Sequence, residues 1–392
     1  MITSTITYST DTVDSKKGSK SAGFAKDALQ SVVFLFLCIV LLEGYLKLAG
    51  VGGQEFLRPS IKMGCEHIPG KRVIWRLEGY SHDRLSKVGL RDSEHSITKE
   101  AGTYRIALLG DSAVESLQVD LNQTFGKVLE SLLNTKQRAT VRQFEVVNFG
   151  CSSYSTGQEV LQYESEIDKY QPDAVVLLYN RGDSLENVIH DKDRKHAEIR
   201  PYFYLDQNGQ LHQDNSVLNN NMDKLKPQPI KDFLREHSAI HGVLTQADLS
   251  LTINEPRYRK IKSWIEALVN LPKRFDPKNQ STLTAIYPDQ NDMAVTKALI
   301  ERLANNIAQK NRTFILMIFP NIVHYDVLLQ QAKQLKTLAD NKHFRCLDLS
   351  SSFLADKDPN SNFIQYHFSK KGHEVVASQL MQVINERVML KN

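Results

Sequence analysis

Short apolar runs alternate with segments of helical periodicity over much of the chain. Tyr104-Arg-Ile-Ala-Leu-Leu109 is a compact apolar run closed by Gly110-Asp111-Ser112. Runs of this kind fit strands buried on both faces. Phe125, Val128, Leu129, Leu132 and Leu133 then recur at helical spacing within Gln123–Leu133. Phe144-Glu-Val-Val-Asn-Phe149 reads as a second strand ending at Gly150, Gln158–Tyr170 as a helix, and Ala174-Val-Val-Leu-Leu-Tyr179 as a third strand. The alternation resumes with Met293–Gln309 as helix, Thr313–Phe319 as strand, Tyr325–Asn341 as helix, Phe344–Asp348 as strand and Lys371–Val388 as the last helix. Strands alternating with helices predict a parallel sheet covered on both faces, a three-layer α/β/α, flavodoxin-like domain.

Four stretches stand outside this rhythm. Residues 1–27 are polar, rich in Ser, Thr and Lys, and read as a disordered tail. Residues 28–49 are almost wholly apolar up to Glu43 and Lys47, which lie at i,i+4 spacing and can pair. A bilayer crossing takes about 20 residues. This stretch therefore reads first as a single transmembrane signal-anchor; a cleaved signal peptide and a buried core helix are the competing readings. Lys16, Lys17, Lys20 and Lys26 precede it, which places the amino terminus in the cytoplasm and the rest in the periplasm or outside the cell. Residues 50–100 form a lead-in with only short segments such as Arg72–Trp75, read as packing on the domain that spans 101–392. An insertion at about 188–290 interrupts that domain. It holds a hairpin-like Tyr202–Leu211, a helix near Phe233–Leu244 and a basic segment, Arg257–Lys262, that reads as a solvated face.

Composition adds mainly exclusions. The 392 residues carry 49 basic and 45 acidic side chains, a net charge of +4, which gives no field directed at nucleic acid. The four cysteines (Cys38, Cys65, Cys151, Cys346) form no C-x-x-C pair, so a structural zinc site is not expected, and no cofactor is expected either. Three of the cysteines would face an oxidising space, and any pairing among them leaves one over.

The chemistry-bearing clusters fall at strand ends, where open parallel sheets bind ligands. They are Gly110-Asp111-Ser112, Asn148-Phe-Gly150, Tyr179-Asn-Arg-Gly-Asp183 and, before the last helix, Tyr366–His373. Ser112 at a strand-to-helix turn is exposed as a nucleophile must be, and His367 can serve as its base. His373 reads as structural, Cys151 as a small loop or core residue, and Asp111 as a brace for the turn.

These blocks resemble the SGNH (GDSL-type) hydrolases, most closely the membrane-anchored bacterial members. The likeness rests on Gly110-Asp111-Ser112, Val147-Asn-Phe-Gly150 and His367–Ala377, with Gly89-Leu-Arg-Asp92 and Tyr170-Gln-Pro-Asp173 beside them, and covers about 85–187 and 290–390. The resemblance implies esterase or acyl-transfer chemistry on an ester-bearing small molecule or glycan, outside the cytoplasm. Ser112 would be nucleophile, and His367 base and then acid. The N–H groups of Ser112 and Gly150, with an Asn side chain after the third strand, would form the oxyanion hole. Two positions depart from the pattern. The third block, usually Gly-x-Asn-Asp, reads Asn180-Arg-Gly-Asp183, so Asn180 is the displaced donor or Asp183 takes its place. The triad acid, expected two or three residues before the histidine, is replaced by Gln365 and Ile364. The favoured expectation is therefore a Ser-His dyad whose ring a backbone carbonyl orients, Gln365 offering at most a neutral acceptor; the alternative is that Asp183 reaches the histidine as the acid. The competing function is a weak or inactive relative that binds a glycan or a partner protein in the same cleft.

Overall fold

The computed structural model describes residues 17–51, 55–76, 78–135, 141, 143–189, 197–254, 290–322 and 326–389. Lys16 and the basic segment Arg257–Lys262 lie outside the described residues.

In chain order, helix α1 is Lys17–Leu48. Two short hairpins follow, β1 (Leu57–Ser60) with β2 (Gly64–His67) and β3 (Arg72–Trp75) with β4 (Ser81–Arg84). Then come β5 (Thr103–Leu109), α2 (Ser112–Glu115), α3 (Phe125–Asn134), β6 (Gln143–Asn148), α4 (Thr156–Ser165), β7 (Ala174–Tyr179) and α5 (Asp183–Glu186). The hairpin β8 (Tyr202–Leu205)–β9 (Leu211–Asp214) leads into α6 (Ser216–Asn220), α7 (Met222–Leu225), α8 (Pro229–His237) and α9 (Ala239–Asn254). The chain closes with α10 (Gln290–Ala308), β10 (Thr313–Ile318), α11 (Asp326–Lys342), β11 (Arg345–Asp348), α12 (Ser350–Leu354), the two-residue pair β12 (Phe363–Ile364) and β13 (His367–Phe368), and α13 (Lys370–Met389).

The central sheet is five-stranded and parallel, in the order β11-β10-β7-β5-β6. Numbered along the chain this is 5-4-3-1-2, the flavodoxin-like winding, so the expected fold class is the observed one. Side chains alternate across the sheet because the strand period is two. Ala107, Leu109, Val175, Leu177, Phe314 and Leu316 enter one apolar cluster, with α4, α10 and α11. Ile106, Leu108, Val176, Leu178, Ile315 and Met317 enter the other, with α3 and α13. A strand with both faces so covered reads as an unbroken apolar run, which is why Ala174–Tyr179 is buried at every position.

Two expectations need correction. Helix α1 starts at Lys17, within the stretch read as a disordered tail. Once the apolar segment has nucleated a helix, adding Ala- and Lys-containing turns costs little. The expected helix near Phe233–Leu244 is two, broken at Ser238, whose extended backbone caps α8. Within α1, Lys26–Leu48 is 23 residues of mean hydropathy 2.1 with none of its most apolar window buried, so it is no core helix of this chain. At 1.5 Å per residue it is about 35 Å long, enough for the hydrocarbon layer.

Candidate active site

The site lies where β5 and β7 lead out of the sheet, between the first and third strands of the winding order, at its switch point. Gly110 ends β5, and Asp111 caps α2 by accepting from the Ala113 N–H (2.9 Å). This turn sets Ser112 at the first position of α2. Its N–H has no acceptor among the described residues.

Ser112 Oγ is 2.8 Å from His367 Nε2, so the hydroxyl donates to the imidazole across 255 residues of sequence. His367 Nδ1 is 2.9 Å from Glu78 Oε2 and donates to it. With Nδ1 protonated toward the carboxylate, Nε2 is the basic nitrogen. Neither Gln365 nor Asp183 is the ring's partner, and no backbone carbonyl takes its place. Gln365 instead forms the turn between β12 and β13, in the left-handed region (φ 53°). Asp183 Oδ2 accepts from Thr156 Oγ1 (3.1 Å) and the Asn180 N–H (3.0 Å), bracing the third block from beneath. The carboxylate that sequence spacing fails to supply comes from the lead-in.

Glu78 sits in the β3–β4 turn. Gly79 follows at φ 68°, and a Cβ there would lie 2.1 Å from the Gln118 carbonyl oxygen, so only glycine allows this approach. Trp75 Nε1 donates to Glu78 O (2.9 Å), Tyr80 N to Gln118 O (3.2 Å) and Ser81 Oγ to Leu117 O (2.6 Å). The turn is thereby sewn to the backbone just beyond α2. Arg91, from Gly89-Leu-Arg-Asp92, is fully buried and donates to the carbonyls of Glu115 (2.8 Å), Ser116 (2.5 Å) and Val119 (2.6 Å) and to Asp83. Glu115, also fully buried, accepts from His67 Nε2 (2.5 Å), the Ser152 N–H (3.1 Å) and the Ser152 hydroxyl.

The groups expected to line an oxyanion hole are placed unequally. Asn180 Nδ2 donates one hydrogen to Asp111 Oδ2 (2.7 Å), leaving the other for a ligand. The Gly150 N–H, expected as a donor, is taken by Asn148 Oδ1 (2.9 Å), whose own amide donates to Val114 O (2.9 Å). Gly150 serves closeness instead: a Cβ would meet the Glu115 nitrogen at 2.4 Å. Behind the site, burial raises the Asp111 carboxyl, against the hydrogen bonds from Ala113 and Asn180. Burial, then the charge of Asp111, pushes Asp183 well up; burial, then Asp183, does the same to Glu159. Burial and mutual repulsion thus act in the same direction on all three carboxyls, against ionisation.

His373 is buried, stacks on Phe125 and accepts the Phe125 N–H (3.2 Å); burial lowers it to about 3, in line with a structural role. Cys151 is buried beside Cys65 and Tyr154, and burial raises its thiol, the opposite of what a nucleophile needs. All four cysteines are free thiols. No group of His, Cys, Asp or Glu suited to a metal occurs among the described residues.

No family model and no curated protein matches the chain. Among solved structures it is similar to a putative lipolytic protein of the G-D-S-L family from Desulfitobacterium hafniense DCB-2, at 11% identity and TM-score 0.37, covering 71% of this chain and 98% of that one. It is similar also to a catalytic mutant of Axe2, an acetylxylan esterase from Geobacillus stearothermophilus, at 11% identity and TM-score 0.38, covering 73% and 95%. The acetyl xylan esterase AlAXEase gives 13% identity and TM-score 0.37, covering 71% and 99%. At such values these likenesses add nothing to what strand order and side-chain geometry already give.

Proposed function

We propose that the chain is a serine ester hydrolase or acyltransferase of the SGNH type, with Ser112, His367 and Glu78 as its catalytic triad. The observation that carries this reading is the continuous relay from Ser112 Oγ through both imidazole nitrogens to the Glu78 carboxylate. Ser112 Oγ attacks the ester carbonyl as its proton passes to His367 Nε2. Glu78 holds the ring's tautomer and balances the imidazolium. The oxyanion meets the Ser112 N–H and the remaining Asn180 N–H, donors aimed at charge that develops only in the transition state. Collapse expels the alcohol, which takes the proton from His367, and leaves acyl-Ser112. Water or an acceptor hydroxyl then repeats the sequence in reverse.

The site faces the periplasm or cell exterior in this reading, carried there by the Lys26–Leu48 helix as a single-pass anchor. The substrates are O-acyl groups on envelope or exported glycans. Tyr366, two-thirds exposed beside the base, supplies an aromatic face of the kind on which sugars rest. A fluorophosphonate should label the parent chain and not Ser112→Ala. Acetylated sugars should then be cleaved in preference to long-chain esters, and Tyr366→Ala should raise KM for the sugars alone. Fusion after Asn392 of a reporter active only outside the cytoplasm should give signal.

The second reading, a weak or inactive relative that binds a glycan or partner protein, is favoured by one observation. The Gly150 N–H is already occupied. Absence of both label and ester turnover would select it.

A further inference from the structure

Helix α8 is amphipathic in the wrong sense for a soluble domain. A surface helix ordinarily turns its apolar stripe inward. Here Ile230, Phe233 and Leu234, at i, i+3 and i+4, are 78%, 62% and 37% exposed. The polar side faces the protein. Arg235 reaches Glu55 (3.2 Å) and Asp232 (2.8 Å), and Lys71 Nζ donates to the carbonyls of Arg235 (2.7 Å) and Glu236 (2.9 Å), closing the helix's C-terminal end.

The next turn is fastened to the apolar N-terminal helix itself. Glu43, near the end of the Lys26–Leu48 stretch, accepts from the N–H groups of Ala239 (2.7 Å) and Ile240 (3.0 Å) and from Ser238 Oγ (3.0 Å). It also pairs with Lys47 (3.1 Å). The outward apolar face therefore begins where the candidate span ends, beside exposed Tyr45 and Leu48 on that helix and Leu244 on α9.

We infer that α8 lies in the membrane interface, with Ile230, Phe233 and Leu234 in the boundary between headgroups and acyl chains. The domain would thus rest against the bilayer at a second point besides its anchor. The occupant of this face is lipid, because the face continues the surface of a helix already suited to lipid. Exposed Lys231 on α8 stands at headgroup level, as interfacial helices commonly arrange. This inference rests on the anchoring proposed above.

The test uses the full chain in vesicles of phosphatidylethanolamine and phosphatidylglycerol, with the photocrosslinking residue p-benzoylphenylalanine at Phe233 or, as a control, at exposed Lys357. Thermal melting confirms that each variant is folded. The expected result is retention in the vesicle pellet after alkaline carbonate, with lipid adducts several-fold more abundant at 233 than at 357. Retention with chain-to-chain adducts, or no lipid adduct, at 233 would overturn the interfacial helix and leave the anchor standing. Release into the supernatant would overturn both. A second readout is Phe233→Asp, which should abolish protection of the 229–237 amides by vesicles in hydrogen exchange; protection equal to the parent's would also sink the inference.

Discussion

The five-stranded sheet and the lead-in before it are held by different forces. The sheet is gripped between two apolar clusters of more than twenty buried side chains each, and its central strands β7 and β10 carry no charge. The lead-in has a small apolar cluster around Phe56, Val73, Leu85 and Leu117, and joins the domain through charged side chains removed from water. Arg91 caps three carbonyls. Asp92 takes the Asn148 N–H (2.8 Å) and pairs with Lys127 (2.5 Å) and His95 (3.2 Å). Hydrophobic burial is forgiving of shape, whereas a buried charge demands its partners. The proposed nucleophile and base thus sit on the tolerant region and the acid on the exacting one. Damage to the lead-in should disable chemistry before it unfolds the sheet.

The largest effect should come from the tolerant side. Ser112→Ala and His367→Ala should each lower turnover by about 10⁵-fold, with the double variant little worse, because the pair acts as a unit. Full activity in Ser112→Ala would end the assignment. Next is Glu78→Gln, which should cost on the order of 10²–10⁴ in kcat with an unchanged melting temperature. A rate equal to the parent's would return the site to a dyad. Arg91→Ala leaves three buried carbonyls and Asp83 without their partner and should destabilise the lead-in by about 3–5 kcal/mol. Hydrogen exchange should show residues 55–100 opening while β5 and β7 stay protected; uniform loss across both would erase the contrast.

The pH dependence follows from His95. Burial opposes its charge, but hydrogen bonds to Asp92 and Glu145 raise it to about 9. Its folded value lies above its unfolded one, so the stabilisation is complete below about pH 6.5 and is lost as pH rises through about 9. The loss should be on the order of 2–3 kcal/mol, and His95→Gln should flatten that part of the stability curve. The smallest effect belongs to Gln365. Gln365→Asp should leave the rate unchanged, since the imidazole already has its carboxylate, and Gln365→Gly should stabilise by up to ~1 kcal/mol by relieving a positive φ. A marked rise in rate for Gln365→Asp would mean that Glu78 does not serve.

The same contrast explains what could be read from the chain beforehand. Strands such as Ala174–Tyr179 announce themselves because a doubly buried strand is a continuous apolar run. Ser112 and His367 were legible because each lies at a strand or helix end inside a compact block. Glu78 was not. Its four-residue strands are too short for periodicity to register, and its partner is 289 residues away. The only local trace is Gly79 between two short runs, and a lone glycine in a turn does not say what its neighbour touches. Occupation of the Gly150 N–H was equally hidden, since it depends on the rotamer of Asn148.

The long separation between Glu78 and His367 also bears on timing. A chain made from its amino terminus presents Glu78 and Ser112 well before His367, which follows the serine by 255 residues. In the proposed reading the serine has no base until His367 is in place, and a nascent chain carries an unarmed hydroxyl. If the pair acts as proposed, the hydroxyl is armed only once His367 has been made and docked, so a chain translated no further than the sheet cannot turn over an ester.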